Sequence, residues 1–178
     1  ALGAGENAAV NPASGSARYA CLAYANRVVY DASMGKIMMT FFAGVIDFET
    51  MTLAFSSAGH NPPWLFKKED GKFNLKSLTA TGQRLGESRD APEFEVKSVD
   101  VAPGDILFLY TDGLMEGKNL EMEMYGKKRT RKMVEASLAG GPSAVIQALM
   151  NDFLKHNEGK PLDDDVTLAT AQFLRDGQ

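Results

Sequence analysis

Asp112 and the run Asp163-Asp164-Asp165 are the residues whose type and spacing could do chemistry. Asp112 lies near the end of Pro103-Gly104-Asp105-Ile106-Leu107-Phe108-Leu109-Tyr110-Thr111-Asp112-Gly113-Leu114, where five apolar or aromatic residues follow a turn signal. A short apolar run between turn residues fits a strand buried on both faces. Periodicity alone leaves a buried helix segment as the alternative, but length and the flanking Gly and Pro favour the strand. A carboxylate at such a strand end is held rigidly near an edge, and Gly113 lets the backbone turn sharply or be approached closely. Asp163 to Asp165 lead straight into the apolar stretch Val166 to Phe173, which reads as a final strand. If the two strands are antiparallel neighbours, both acidic groups fall on one sheet edge. The intervening segment, roughly 50 residues, allows that return. Carboxylates crowded there repel unless a cation neutralises them. Hard oxygen donors with few His and no Cys nearby suit Mg²⁺ or Mn²⁺, or Ca²⁺, and not zinc. The plainer readings are an Asp-Gly turn closing one strand and a solvated acidic turn opening another. An EF-hand is excluded, because its spaced Asp/Asn pattern and terminal Glu are missing.

The elements that must position these acids can be read along the chain. Residues 1–17 have no sustained period and read as a flexible lead-in, with a partly helical one as the alternative. Cys21, Leu22, Ala25, Val28 and Val29 recur at helical spacing, so a helix is expected from about Ala17 to Val29, ended by the break Asp31 to Gly35. Ile37 to Asp47 and Met51 to Ser57 read as two strands joined by a tight turn. Pro62 and Pro63 break the pattern, Trp64 to Phe66 resumes it, Glu69-Asp70-Gly71-Lys72 is a hairpin turn, and Phe73 to Leu78 is the return strand. Glu93 to Val99 alternates as a strand with one wet face. After Gly113, Leu114 to Tyr125 is acidic and Met-rich, an irregular loop or short helical turns. Lys127 to Leu138 is expected to be a helix stopped by Gly140-Gly141. Pro142 suits the start of another, whose apolar face is Val145, Ile146, Leu149, Phe153 and Leu154. Strands without βαβ alternation argue for antiparallel pairing and an α+β layered fold in one domain.

Composition excludes several classes. The chain of 178 residues is long enough for a substantial core, and 44% apolar with 24% charged residues is ordinary for a globular domain. No apolar run reaches the roughly 20 residues that span a bilayer, and no targeting pattern opens the chain. A net charge of −4 gives no nucleic-acid footprint, so the basic cluster from Lys127 to Lys132 reads as a solvated face. A single cysteine, Cys21, rules out an internal disulfide; its apolar neighbours suggest a packed thiol, and a reducing cytoplasmic setting is the default.

Five motifs then occur in order: Phe41-Phe42-Ala43-Gly44-Val45-Ile46-Asp47, Ser57-Ala58-Gly59-His60-Asn61-Pro62-Pro63, Gly82-x-x-Leu85-Gly86, the Pro103 to Gly113 stretch, and Asp164-Asp165-Val166-Thr167. Together they resemble the SpoIIE/RsbU-type bacterial branch of the PPM (type 2C) metal-dependent serine/threonine phosphatases, from about residue 37 to 174. The resemblance implies a four-layer α-β-β-α sandwich of antiparallel sheets, with Mn²⁺ or Mg²⁺ at one end activating water against a phosphoserine or phosphothreonine. Carried over by position, Asp112 and Asp164 match the family's metal-binding aspartates, and Asp165 is their neighbour. No further catalytic residue is assigned, and the substrate-binding residues stay unassigned. The implied partner is a phosphoprotein such as an anti-sigma-factor antagonist.

One departure qualifies this. The family carries an upstream aspartate motif, closely followed by Gly-His-Gly, whose aspartate bridges two metals. Residues 1–36 hold one aspartate, Asp31, followed by Ala32 and Ser33, and no histidine. The expectation is therefore the C-terminal portion of a phosphatase domain, residues 18–178, incomplete at its N-terminus. Metal binding should be weakened, and an uncovered sheet edge would favour a homodimer. The alternative function is a non-catalytic phosphatase-like module that binds a regulatory partner. Among other residues, His60 reads as turn-stabilising, His156 as a charge complement at a helix end, Glu116 as a loop acid, Asp105 as a turn residue and Trp64 as core. Ser33 and Ser57 lack a nearby base and form no nucleophile constellation.

Overall fold

A computed structural model describes residues 15–90 and 93–174. In chain order the elements are α1 (Gly15–Ser33), β1 (Phe41–Asp47), β2 (Thr52–Ala58), β3 (Trp64–Glu69), β4 (Lys72–Ser77), β5 (Val96–Asp100), β6 (Ile106–Tyr110), α2 (Asp112–Glu116), α3 (Lys127–Ser137), α4 (Gly141–Asn157) and β7 (Leu168–Gln172). The strands form two antiparallel sheets, one ordered β1-β2-β5 and the other β4-β3-β6-β7, which gives the expected α+β class. The chain divides into two compact units. One holds the residues up to Val45 with Ala54–His60 and Ala80–Ser98; the other holds Ile46–Leu53, Asn61–Thr79 and the residues from Val99 onward.

In the first unit, α1 buries Leu22 and Asn26, one helical turn apart. The Asn26 carboxamide accepts the Gly86 N–H at 2.9 Å and donates to the Ser88 carbonyl at 2.9 Å, so the helix is fastened to the 82–88 loop. Leu22 joins Ala58, Leu85 and Phe94 in a small core. The helix runs four residues past its expected end. Of the expected lead-in, residues 1–14 lie outside the described residues, and residues 15–17 already belong to α1. Cys21 is exposed, not packed. Neighbouring helical residues point about 100° apart, so burying Leu22 turns Cys21 outward. The first strand is also shorter than the apolar run suggested: Met39 makes only an isolated bridge to Leu85 before β1 begins. β5 starts at Val96 and not at Glu93, and its buried residue is Val99.

The second unit is built around β6, whose residues Ile106, Leu107, Phe108 and Tyr110 are buried. The strand lies between two antiparallel partners, with Trp64 opposite Phe108 on β3 and Tyr110 opposite Leu168 on β7. β3 and β4 form the expected hairpin. Its turn residues Asp70 and Gly71 both take positive φ, 49° and 76°, the geometry that an Asp-Gly pair supplies most readily. Trp64, Phe66, Ile106 and Phe108 pack with Val134 of α3 and with Val145, Leu149 and Phe153 of α4 in one core. The buried stripe of α4 is narrower than the apolar pattern implied: Ile146 is half-buried, and Leu154 is exposed because it follows Phe153 around the helix. Gly140-Gly141 does not separate two helices by a loop. A single 3₁₀ turn, Leu138–Gly140, joins α3 directly to α4.

Two polar fastenings hold this unit. Asp105 is fully buried; its carboxylate accepts the Lys68 N–H at 2.8 Å and the Ala102 N–H at 2.9 Å, and pairs with Lys67 Nζ at 2.8 Å. It therefore closes its own turn, as expected, and also clamps that turn to β3. Between α3 and α4, the Arg129 guanidinium grips both oxygens of Asp152, at 2.7 and 3.1 Å, and donates to His156 Nδ1 at 3.0 Å. Nδ1 is then an acceptor, and the ring donates from Nε2 to the Glu123 carbonyl at 3.0 Å. This corrects the reading of His156 as a helix-end charge: it is buried, in the Nε2–H tautomer that the network selects. The Arg129 hydrogen bond, partly offset by desolvation, holds the Asp152 carboxyl below the usual range.

Candidate functional site

The β6–β7 pairing brings the two acidic segments together. Because Tyr110 faces Leu168 in an antiparallel ladder, the chain leaving β6 meets the chain entering β7. Thr111 joins them. Its N–H donates to the Thr167 carbonyl at 3.0 Å, its hydroxyl donates to the Asp165 carbonyl at 2.9 Å, and the same oxygen accepts the Thr167 N–H at 2.9 Å. Thr111 is also the residue before α2, but its side chain makes no capping bond to that helix. The hydroxyl is committed across the strands.

Asp112 is the first residue of α2, one position beyond a plain strand end, and it is exposed. Its carboxylate accepts the Gly113 N–H at 3.2 Å. Gly113 is buried against the other segment: a Cβ there would stand 2.5 Å from the Asp165 carbonyl oxygen and 3.4 Å from the Asp164 carbonyl carbon. The glycine was expected to permit close approach, and here the close approach is of backbone to backbone.

Asp164 is exposed, and its Oδ1 accepts the Asp165 N–H at 2.7 Å. Asp163 is drawn to Lys160 at 3.2 Å. Beside these residues lies a recess of about 240 Å³, lined by Gly113, Glu116, Lys118, Met124, Asp163 and Asp164. Asp112 and Asp165 are not among its lining residues.

The donor set is made of carboxylates on an exposed edge, the chemistry of a hard divalent cation. Mg²⁺ in particular is commonly held by one or two carboxylates, with water and substrate phosphate completing its shell. Among the described residues, no three His, Cys, Asp or Glu side chains converge as a metal-holding group.

Two features of the site were not read from the sequence. One is the Thr111–Thr167 clasp; both threonines neighbour the acidic residues in sequence, but their pairing needs the register. The other is Tyr110, whose hydroxyl donates to the Pro62 carbonyl at 3.2 Å. It ties the end of β6 to the Asn-Pro-Pro break, and burial pushes the phenol up to about 12. His60 is half-buried, and its backbone carbonyl accepts the Ser57 hydroxyl at 3.4 Å. Trp64 is core.

Comparison with known proteins gives a coherent set of likenesses. The family model described as Stage II sporulation protein E (SpoIIE) matches residues 9–174. Protein IcfG of Synechocystis sp. is 29% identical over 129 residues, covering 72% of this chain and 20% of that protein. Phosphoserine phosphatase RsbU of Bacillus subtilis is 26% identical over 145 residues, covering 80% of this chain and 41% of that protein. The chain thus spans well under half the length of both curated relatives. Among solved structures, the SiaA-PP2C domain of Pseudomonas aeruginosa superposes with a TM-score of 0.74 at 19% identity, covering 87% of this chain and 60% of that one. The catalytic domain of the serine/threonine phosphatase PstP, solved with two manganese ions, gives 0.61 at 14% identity, covering 90% and 71%. These structural likenesses show the fold of PP2C phosphatase domains.

Proposed function

We propose, from the premise that this chain belongs to the SpoIIE family of PPM-type phosphatase domains, that it carries part of a metal-dependent site for hydrolysing phosphoserine or phosphothreonine in a regulatory protein, for instance an anti-sigma-factor antagonist. The observation that carries this reading is the Thr111–Thr167 clasp, which holds Asp112-Gly113 against Asp164-Asp165. RsbU, a relative, is by name a phosphoserine phosphatase, and PstP supports manganese as the ion.

Asp112 and Asp164 would hold Mn²⁺ or Mg²⁺, with Asp165 as their neighbour. A bound ion of this kind lowers the pKa of coordinated water and neutralises charge on a transferring phosphoryl group. The chain's own residues prepare that edge. Thr111 and Thr167 fix the two backbones, and Gly113 leaves room for their contact. Lys118, on the lining of the same recess, offers a cation to a phosphate oxygen. With so few protein ligands, the expected metal affinity is weak.

The second reading, a phosphatase-like module that binds a regulatory partner without turnover, is favoured by the recess that Asp164 lines being walled without Asp112. A Mn²⁺-dependent assay on this chain, and on a form extended upstream, separates the two. In the active form Asp112→Ala should lower hydrolysis by at least about 100-fold, since even the partners of metal ligands are worth 10–100-fold. Undiminished activity in Asp112→Ala, or inactivity of the extended form, rules out the catalytic reading.

A cytoplasmic setting and self-association belong to the same proposal. Among the described residues no helix is long and apolar enough to cross a membrane. β1 is an edge of its sheet, with Phe41 and Val45 exposed, which supports pairing between copies. Sedimentation velocity should then show a coefficient that rises with concentration; a constant monomer value dismisses the homodimer.

A further inference from the structure

We propose that a recess beside α3, walled by Tyr125, Lys128, Lys132 and Met133, binds an acidic segment of the same protein whose phosphorylated residue enters the Asp112–Asp164 edge. The proposal rests on the phosphatase reading of that edge. The recess measures about 520 Å³, within the range of sites that take a small ligand or a few side chains, and its lining also holds Arg129 and the Asp152 carboxylate paired with it.

Its charge is what calls for an anionic occupant. The first turn of α3 carries Lys127, Lys128 and Arg129 and no acid, an arrangement the helix dipole disfavours. Arg129 is neutralised by Asp152 and Arg131 by Glu135. Lys128 and Lys132, four residues apart on one helical face, make no ion pair among the described residues. This local excess of positive charge stands on a chain whose net charge is −4. Carboxylates from a partner would supply the missing countercharge. The apolar parts of the wall, Tyr125 and Met133, suit an apolar side chain between those carboxylates. Tyr125 is held rigid for that role: its hydroxyl donates to Asp152 at 2.7 Å, and Arg129 lies 5.0 Å from its ring centre.

The two recesses adjoin along the chain. Met124 lines the acidic one and Tyr125 the basic one, and the strip between is fixed by the Tyr125 N–H bond to the Gly117 carbonyl at 2.8 Å. A phosphoprotein that reaches both recesses would set residues flanking its phosphorylated side chain on the second. The lysines offset the repulsion that an acidic partner would meet at the carboxylate edge.

Fluorescence anisotropy of a fluorescein-labelled Glu-Glu-Phe-Glu-Glu peptide with the full chain tests this, with Lys-Lys-Phe-Lys-Lys as control. The acidic peptide should bind, more weakly as salt is raised. Lys128→Glu/Lys132→Glu should weaken it at least tenfold, while Lys72→Glu/Lys76→Glu on β4, an equal change in net charge, should leave it unchanged. No binding, or equal loss in both double variants, overturns the proposal. Mn²⁺-dependent hydrolysis of p-nitrophenyl phosphate, which has no acidic segment, should be unaffected by Lys128→Glu/Lys132→Glu. Hydrolysis without site-specific peptide binding defeats the recess alone. Such binding without any hydrolysis, in this chain and its extended form, defeats the phosphatase reading alone and leaves an acidic-peptide site.

Discussion

Asp105→Ala should lower the stability of the second unit by about 3–5 kcal/mol, the usual cost of removing one member of a buried ion pair. The carboxylate is fully buried, and three donors converge on it: Lys67 Nζ and the Lys68 and Ala102 N–H groups. Alanine would strand the Lys68 and Ala102 N–H groups, leave Lys67 Nζ with only the Asp100 carbonyl at 3.0 Å, and open a space at the turn that starts β6. Because β6 is an inner strand of the sheet and leads into Asp112, the loss is not local. For a chain of this size, the expected fall in melting temperature is roughly 6–20 °C. Asp105→Asn keeps the shape and one acceptor, so it should lie between the two. A calorimetric melt of Asp105→Ala within about 2 °C of the parent, well under the expected shift, would show that the clamp is dispensable.

The second large effect is expected at Gly113. Adding a methyl group there places carbon 2.5 Å from the Asp165 carbonyl oxygen, with backbone on both sides of the contact. No flexible side chain can give way, so the Asp164-Asp165 segment must withdraw from Asp112. Positioning errors of about 1 Å can cost about 100-fold in rate, and Gly113→Ala should show a loss of that order in Mn²⁺-dependent hydrolysis. It should also weaken Mn²⁺ binding by calorimetry while the helical circular dichroism persists. The comparison with Asp112→Ala is informative, since one removes a carboxylate and the other only separates two backbones. If Gly113→Ala binds Mn²⁺ like the parent, the contact does not organise the edge.

Much of this edge was legible in the sequence. The uninterrupted run Ile106 to Tyr110 fits a strand buried on both faces, and the antiparallel pairing with β7, which in the sequence is only a condition for the acidic ends to meet, is the one observed. The Asp-Gly turn between β3 and β4 was equally plain, because both positions need positive φ. What stayed hidden are pairings between residues far apart in the chain. Asp105 looked like a turn acid because its partners Lys67 and Lys68 lie on another strand. His156 looked like a helix-end charge because Arg129 and Glu123 are a helix away. Thr111 and Thr167 are unremarkable threonines until the register sets one against the other. Cys21 was misjudged because apolar neighbours along a helix do not share its face. Local pattern identifies elements; it does not identify which polar groups will meet.

The Thr111–Thr167 clasp also bears on timing. Its two halves are separated by more than fifty residues, among them both long helices of the second unit. At synthesis rates of roughly 5–20 residues per second, Asp112 leaves the ribosome several seconds before Asp164. During that interval β6 has no β7, the Thr111 hydroxyl has no carbonyl to reach, and the edge is a lone aspartate. A chain arrested or clipped before Val166 would present the first acid without the pairing that brings in the second. Completion of the final strand is thus the event that sets the two acidic segments side by side.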